Sequence, residues 1–233
     1  MYRLLSFLCI AACLSCSKVY RIDGTSKISS IDGSAVVLKT AIGDAWKVID
    51  SCEVLHGQFK MKGKLDSVIV ATLFVDGNPL MPVVLEGGKT DVLISDMEIR
   101  AKGTPLNDSL YGFLFRKHKL ELKVMELERL ESQMIMNGYT EREIKEVIDS
   151  VFSKISTDME ELVCGFISEN YDNVLSLCGF SMLCNGLPQP VVTPLIQRVL
   201  DEAPLSFKEK PSISEFIYAA KENMENYETA ELY

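Results

Sequence analysis

Between residues 18 and about 104, short apolar runs are separated by glycine-bearing turns; beyond that point the spacing of apolar positions lengthens to a helical period. The runs Val19–Asp23, Ala35–Lys39, Trp46–Val54, Gln58–Lys62, Ser67–Val75, Leu80–Leu85, Asp91–Ile94 and Ile99–Lys102 predict around eight strands. His56-Gly57, Asp76-Gly77 and Gly87-Gly88 fall between them, and such pairs supply the positive φ that tight hairpins need. Val37-Leu38 and Val83-Val84-Leu85 read as buried stretches, whereas Phe59 and Met61 alternate with lysines. Short strands at this spacing predict an antiparallel sandwich or barrel.

The texture changes at Gly103-Thr104-Pro105-Leu106-Asn107-Asp108. Asn107 or Asp108 is a suitable N-cap, and Phe113, Leu120, Leu127 and Met134 then recur every seven residues until Asn137-Gly138 ends the helix. Thr140-x-x-Glu143 forms a capping box for a second helix, whose apolar stripe runs from Ile144 to Phe166. Further helices are expected over Asn173–Leu183, from Thr193-Pro194 to Ala203-Pro204, and over Ser214–Asn226. Short connections make core packing of a helical subdomain the expected role of the two long stripes, ahead of a coiled coil or a partner-binding face. The fold class is therefore α+β: a signal at 1–15, a β-sandwich-like domain at 16–104 and a helical domain at 105–233.

The start of the chain is read separately. Arg3 precedes an apolar run from Leu4 to Leu14, followed by small residues and cysteines, which is the layout of a secretory signal. About 20 apolar residues are needed to cross a bilayer as a helix, and this run is too short. Ile10-Ala11-Ala12-Cys13 and Cys13-Leu14-Ser15-Cys16 both resemble the lipobox of bacterial lipoproteins. Cys16 is the preferred lipidation site and Cys13 the alternative, because Cys16 leaves the fuller apolar region and is followed by the polar Ser17-Lys18. More than one acyl chain gives a stable membrane anchor where a single chain does not. No acidic run follows Cys16, so a periplasm-facing position at the outer membrane is the expected orientation.

Composition narrows the remaining options. With 233 residues, 47% of them hydrophobic, the chain can build one or two cores. Its net charge of −9, with no basic cluster along the sequence, speaks against nucleic acid as a partner. Once Cys9, Cys13 and Cys16 are set aside, Cys52, Cys164, Cys178 and Cys184 remain, and none forms C-x-x-C. Cys164, Cys178 and Cys184 lie in one helical region and are the candidate redox thiols; small buried apolar residues are the competing reading.

Signatures of catalysis are absent from the sequence. Neither a Gly-rich phosphate loop, H-E-x-x-H nor G-x-S-x-G is present. His56 in a turn and His118 among lysines read as surface histidines, and the paired glutamates fall on polar helix faces. Trp46 is expected in the core. No cofactor, metal or catalytic residue is assigned.

Tyr20-x-Ile22-x-Gly24, Gly33 with Val36-Val37-Leu38, His56-Gly57-Gln58-Phe59, Val84-Leu85-Glu86-Gly87-Gly88 and Gly103-Thr104-Pro105-Leu106-Asn107-Asp108 carry a resemblance. They look like the domain of unknown function numbered 4369, from lipoproteins of Bacteroidetes. The resemblance covers about residues 19–108 firmly and the helical part more loosely. In many relatives this module precedes a thioredoxin-like domain, and the resemblance implies that this chain stops about where that domain would begin. The W-C-x-x-C site is absent here, so no catalytic residue is carried over. The resulting expectation is a non-enzymatic envelope lipoprotein, bound to the membrane by lipid and serving a thioredoxin-like or other envelope protein. A thiol-based redox accessory is the alternative.

Overall fold

The computed structural model describes residues 18–230 apart from Asp44, with side chains to residue 224. Eight strands come first: β1 (Lys18–Ser26), β2 (Ala35–Ile42), β3 (Ala45–Glu53), β4 (Gln58–Leu65), β5 (Ile69–Val75), β6 (Asn78–Leu85), β7 (Gly88–Ile94) and β8 (Ile99–Lys102). Helices follow: α1 (Pro105–Met136), α2 (Glu141–Ser168), α3 (Leu175–Cys184), α4 (Pro194–Glu202), the single turn α5 (Leu205–Lys208) and α6 (Pro211–Ala230). The α+β class and the order of strands before helices are as expected, with α5 an addition.

The strands form two sheets, ordered β4-β1-β7-β8 and β3-β2-β5-β6. Neighbours are antiparallel except β1 and β7, which are parallel from Tyr20–Gly88 to Ser26–Ile94. The expected antiparallel sandwich is thus present, with this one pair parallel among the described strands. A parallel pair needs a long crossover, and the chain supplies one by building β2 to β6 between the two strands. His56 and Gly57, and likewise Asp76 and Gly77, adopt positive φ at their hairpin turns.

Alternation decides which side chains enter the sandwich. Tyr20 and Ile22 of β1 meet Phe59 and Met61 of β4, while Leu38, Leu73 and Val83 come from the facing sheet, all buried. The β1–β4 pair contains two glycine–aromatic partnerships in opposite senses. Gly24 lies opposite Phe59 and Gly63 opposite Tyr20, and a Cβ at either glycine would run into its partner's ring. The Tyr20 hydroxyl then donates to Asp50 Oδ2 of β3 at 3.0 Å, tying one sheet to the other.

Helix α1 covers the free edge of β6. The Val84 amide donates to Asn107 Oδ1 at 2.9 Å, and Asn107 Nδ2 donates to the Val84 carbonyl at 2.8 Å. One turn on, the Tyr111 hydroxyl donates to the Pro82 carbonyl at 2.8 Å. Four helical residues rise about 6 Å and two strand residues about 6.6 Å, so the two ladders match. Glu86 extends the match by accepting from the amides of Leu106 and Asn107 at 2.8 and 3.3 Å. A sheet edge that would otherwise expose backbone groups is thereby closed.

This arrangement also corrects the expected N-cap. The cap residue is Thr104, with Pro105 opening the helix, because Asn107 is committed to Val84 and Asp108 accepts from the Gly103 amide at 3.0 Å. The capping box at Thr140 and Glu143 is present as expected. Lys210, at the start of α6, donates to the Tyr171 carbonyl and Ser176 Oγ, both at 3.0 Å, and so ties the α2–α3 connection to α6.

Candidate functional site

The three candidate redox thiols sit at the base of the helical region, Cys164 on α2 and Cys178 and Cys184 on α3. All are free, as is Cys52. Burial pushes the Cys178 and Cys184 thiols up to about 11. Cys164 is also raised by burial, with Arg198 lowering it less. A reactive thiol needs the opposite environment, one that favours thiolate at neutral pH. The side chains around these cysteines are those of a core: Phe166 stacks on Phe113 at 4.0 Å, and Phe180 meets Phe207 and Phe216 edge-on.

The remaining polar candidates do not converge. His56 is exposed in its turn, and His118 lies on an exposed stretch of α1 with Glu121 3.7 Å away. Glu126, Glu128, Glu141, Glu143 and Glu161 are exposed and Glu160 half-buried. Among the described residues no three His, Cys, Asp or Glu side chains gather as a metal site requires. Cys13 and Cys16, together with the signal at 1–15, lie outside the described residues. None of the described helices is long and apolar enough to cross a membrane.

What the fold offers instead is surface. The first surface is the α1–α2 hairpin, in which α1 alone is about 48 Å long. Its base packs into the main core through Leu110, Phe113, Val163, Phe166 and Ile167. Further out, Met134, Ile144 and Ile155 are buried but belong to no larger cluster. There Leu122, Met125, Met136 and Phe152 are exposed, Met125 at 70% and Met136 at 78%, and Phe115 is exposed nearer the base. Most of the two expected stripes is covered even here, with Leu127, Leu130, Ile148 and Val151 half-buried, whereas Val124, Val147 and Phe152 of the stripes and the off-stripe Leu122, Met125 and Met136 are exposed. Two helices alone cannot fully cover each other's apolar stripes, and α3 to α6 pack near the base. An open groove of about 460 Å³ runs between the helices, lined by Leu127, Leu130 and Ile155 with charges of both signs, Lys123, Lys154 and Asp158 among them.

A second surface lies on the outer side of the β3-β2-β5-β6 sheet. Trp46, expected in the core, is 52% exposed and stands edge-on to Phe74 at 5.1 Å. Lys39 Nζ sits 4.3 Å from the same Phe74 ring. The reason is positional: β3 is an edge strand, and Trp46 pairs with Ala41 near the tip of the β2–β3 hairpin, beyond the reach of β5.

The third surface is electrostatic. Along the outer side of the β4-β1-β7-β8 sheet stand Lys60, Lys62, Lys64, Arg21, Lys89 and Lys102, all exposed, with Asp23 and Asp91 the carboxylates among them. Arg100 of β8 shares this face and is paired with Glu98 at 2.6 Å, so seven cations against three carboxylates leave it at +4 in a chain of net −9. Reading the chain linearly found no basic cluster, because these residues come from four strands. The alternation Lys60-Met61-Lys62-Gly63-Lys64 was the available signal.

Compared with known proteins, the chain matches the model of a family described as Domain of unknown function (DUF4369) over residues 20–110. That segment takes in seven strands, nearly all of β1 and the first turns of α1, so it ends where Asn107 and Glu86 join helix to sheet. The domain carries no assigned activity, and none of the curated proteins matches the chain.

Proposed function

We propose that this protein is a lipid-anchored lipoprotein of the bacterial cell envelope, without catalytic activity, whose folded part serves as a binding or accessory module for a protein in the periplasm. The anchor reading rests on the N-terminal pattern that ends in Cys16, with Cys13 as the alternative. The binding reading rests on one observation, the outer half of the α1–α2 hairpin, where Leu122, Met125, Met136 and Phe152 stand exposed. Exposed aromatic and methionine side chains in contiguous patches mark protein-interaction surfaces. Thioredoxin-like envelope proteins are the partner class to test first, given the resemblance of the β-domain.

Two measurements test the two halves of this reading. Metabolic labelling with palmitate is expected to mark the wild type and to be lost in Cys16→Ala; loss in Cys13→Ala instead would move the site to Cys13, and a wild type without label would remove the anchor. A photoreactive residue in place of Leu122 or Phe152 is expected to capture one discrete envelope protein. The same probe at Gln58, on the far strand β4, should not. Capture that is equal at all three positions would sink the binding role of the hairpin.

A further inference from the structure

The register of the β4-β1-β7-β8 sheet places Lys62, Arg21 and Lys89 side by side, since Arg21 pairs with Lys62 on one flank and with Lys89 on the other. Like charges directly opposite each other destabilise a sheet. Lys89 is partly compensated by Asp91 at 2.7 Å and Asp23 at 3.1 Å. Lys64, one step nearer the start of β1, pairs with the uncharged Val19. The rows level with Val19 and Arg21 therefore carry cations only, and the carboxylates first appear at the level of Asp23.

Those purely cationic rows lie at the end of the sheet where β1 begins. Lys18 is the first residue of β1, and only Ser17 separates it from Cys16. Two residues span at most about 7 Å. A lipid on Cys16 would thus hold this end of the sheet within reach of the headgroups.

On these grounds we infer that the outer face of the β4-β1-β7-β8 sheet rests on the anionic surface of the membrane that holds the anchor, with Lys62, Lys64 and Arg21 against phosphate-bearing lipid headgroups. The inference rests on the anchored reading for its geometry and on charge complementarity for its partner. An overall acidic protein is repelled by such a surface in most orientations, so this basic face favours the orientation that turns it to the bilayer. That orientation turns the opposite, Trp46-bearing sheet away from the bilayer.

The test uses the full lipid-modified protein, purified from membranes and mixed with vesicles of neutral phosphatidylcholine or of phosphatidylcholine with phosphatidylglycerol. Lysine acetylation is read by mass spectrometry, and flotation reports attachment. Lys62, Lys64 and Lys102 should be protected on anionic vesicles at low salt and modified freely on neutral ones, while Lys123 and Lys145 of the hairpin react equally on both. The triple variant Lys60→Gln/Lys62→Gln/Lys64→Gln should still float with neutral vesicles but lose the protection of Lys102, with attachment to anionic vesicles weakened on the order of 100-fold at roughly five-fold per basic side chain. Equal modification on both vesicle types, with flotation intact, overturns the inference and leaves the anchor standing. Flotation with anionic vesicles alone removes the anchor but supports the basic face. Flotation with neither overturns both. Protection produced by DNA or an acidic protein, and not by vesicles, would replace the membrane as the partner.

Discussion

Asn107 in the first turn of α1 holds both backbone groups of Val84 in β6, accepting from its amide at 2.9 Å and donating to its carbonyl at 2.8 Å. Both residues are fully buried, and Asn107 Nδ2 also donates to Thr104 Oγ1 at 2.8 Å. A side-chain amide carries a donor and an acceptor at the spacing of a peptide group, so Asn107 substitutes locally for a neighbouring strand. No hydrophobic residue of similar size can do this.

Replacing Asn107 with Leu is accordingly expected to cost about 3 kcal/mol, since two buried backbone groups lose their partners at roughly 1–3 kcal/mol each. Asp108→Ala, which gives up only the exposed bond to the Gly103 amide, should cost far less. Urea unfolding of both variants measures the difference. A loss below about 1 kcal/mol for Asn107→Leu would mean that water takes over the Val84 groups.

Opposite signs are expected at two glycines. A Cβ on Gly63 would come within 2.5–2.8 Å of the Tyr20 ring, and that ring is held by its bond to Asp50. Gly63→Ala should destabilise by about 1–3 kcal/mol. Gly112 lies within α1 with nothing near its missing Cβ, and Gly112→Ala should stabilise by about 1 kcal/mol. Thermal melts of the two variants should bracket the wild type, and shifts of the same sign would contradict the packing around Tyr20.

Stability should decline as the solution becomes alkaline. Cys178 and Cys184 are raised from 9.0 to about 11, so between those values the folded chain holds protons that the unfolded chain has released. Stability therefore falls as pH rises through this window. Tyr20, pushed up to about 12 by burial and then by Asp50, extends the fall in the same direction. The contribution is fully present below pH 9. Cys178→Ala should flatten the slope of stability against pH above that point. Thiol labelling of the native protein near pH 8 should be slow and should accelerate on unfolding, and fast native labelling would revive the redox reading.

Lys210→Met is expected to loosen the helical base. The substitution keeps the aliphatic stem but removes the ammonium that donates to the Tyr171 carbonyl and Ser176 Oγ. A charge-assisted pair of this kind contributes about 2 kcal/mol. Hydrogen exchange at the α2–α3 connection should rise in this variant more than exchange in the sandwich, and a uniform rise would show that the ammonium does not act locally.

Local pattern was enough to find the strands. Val19–Asp23 and Gln58–Lys62 alternate because one sheet face is wet, and Asp76-Gly77 turns because those residues tolerate positive φ. Helix starts were legible where the cap is local, as at Thr140 and Thr193, and misplaced at α1, where Glu86 and Val84 from another strand set the first turn. Pro105 was the clue that the helix opens earlier.

By itself, then, the chain determines its strands, its turns and most of its helices, which depend on residues a few positions apart. Tertiary structure decided the rest. It made β1 and β7 parallel, left Trp46 on an edge strand, uncovered the outer hairpin and gathered lysines from β4, β7 and β8 around Arg21 into one basic face. Each of these depends on which strands or helices become neighbours. Pairing partners are chosen by burial summed over the whole sandwich, and no short window of sequence contains that sum.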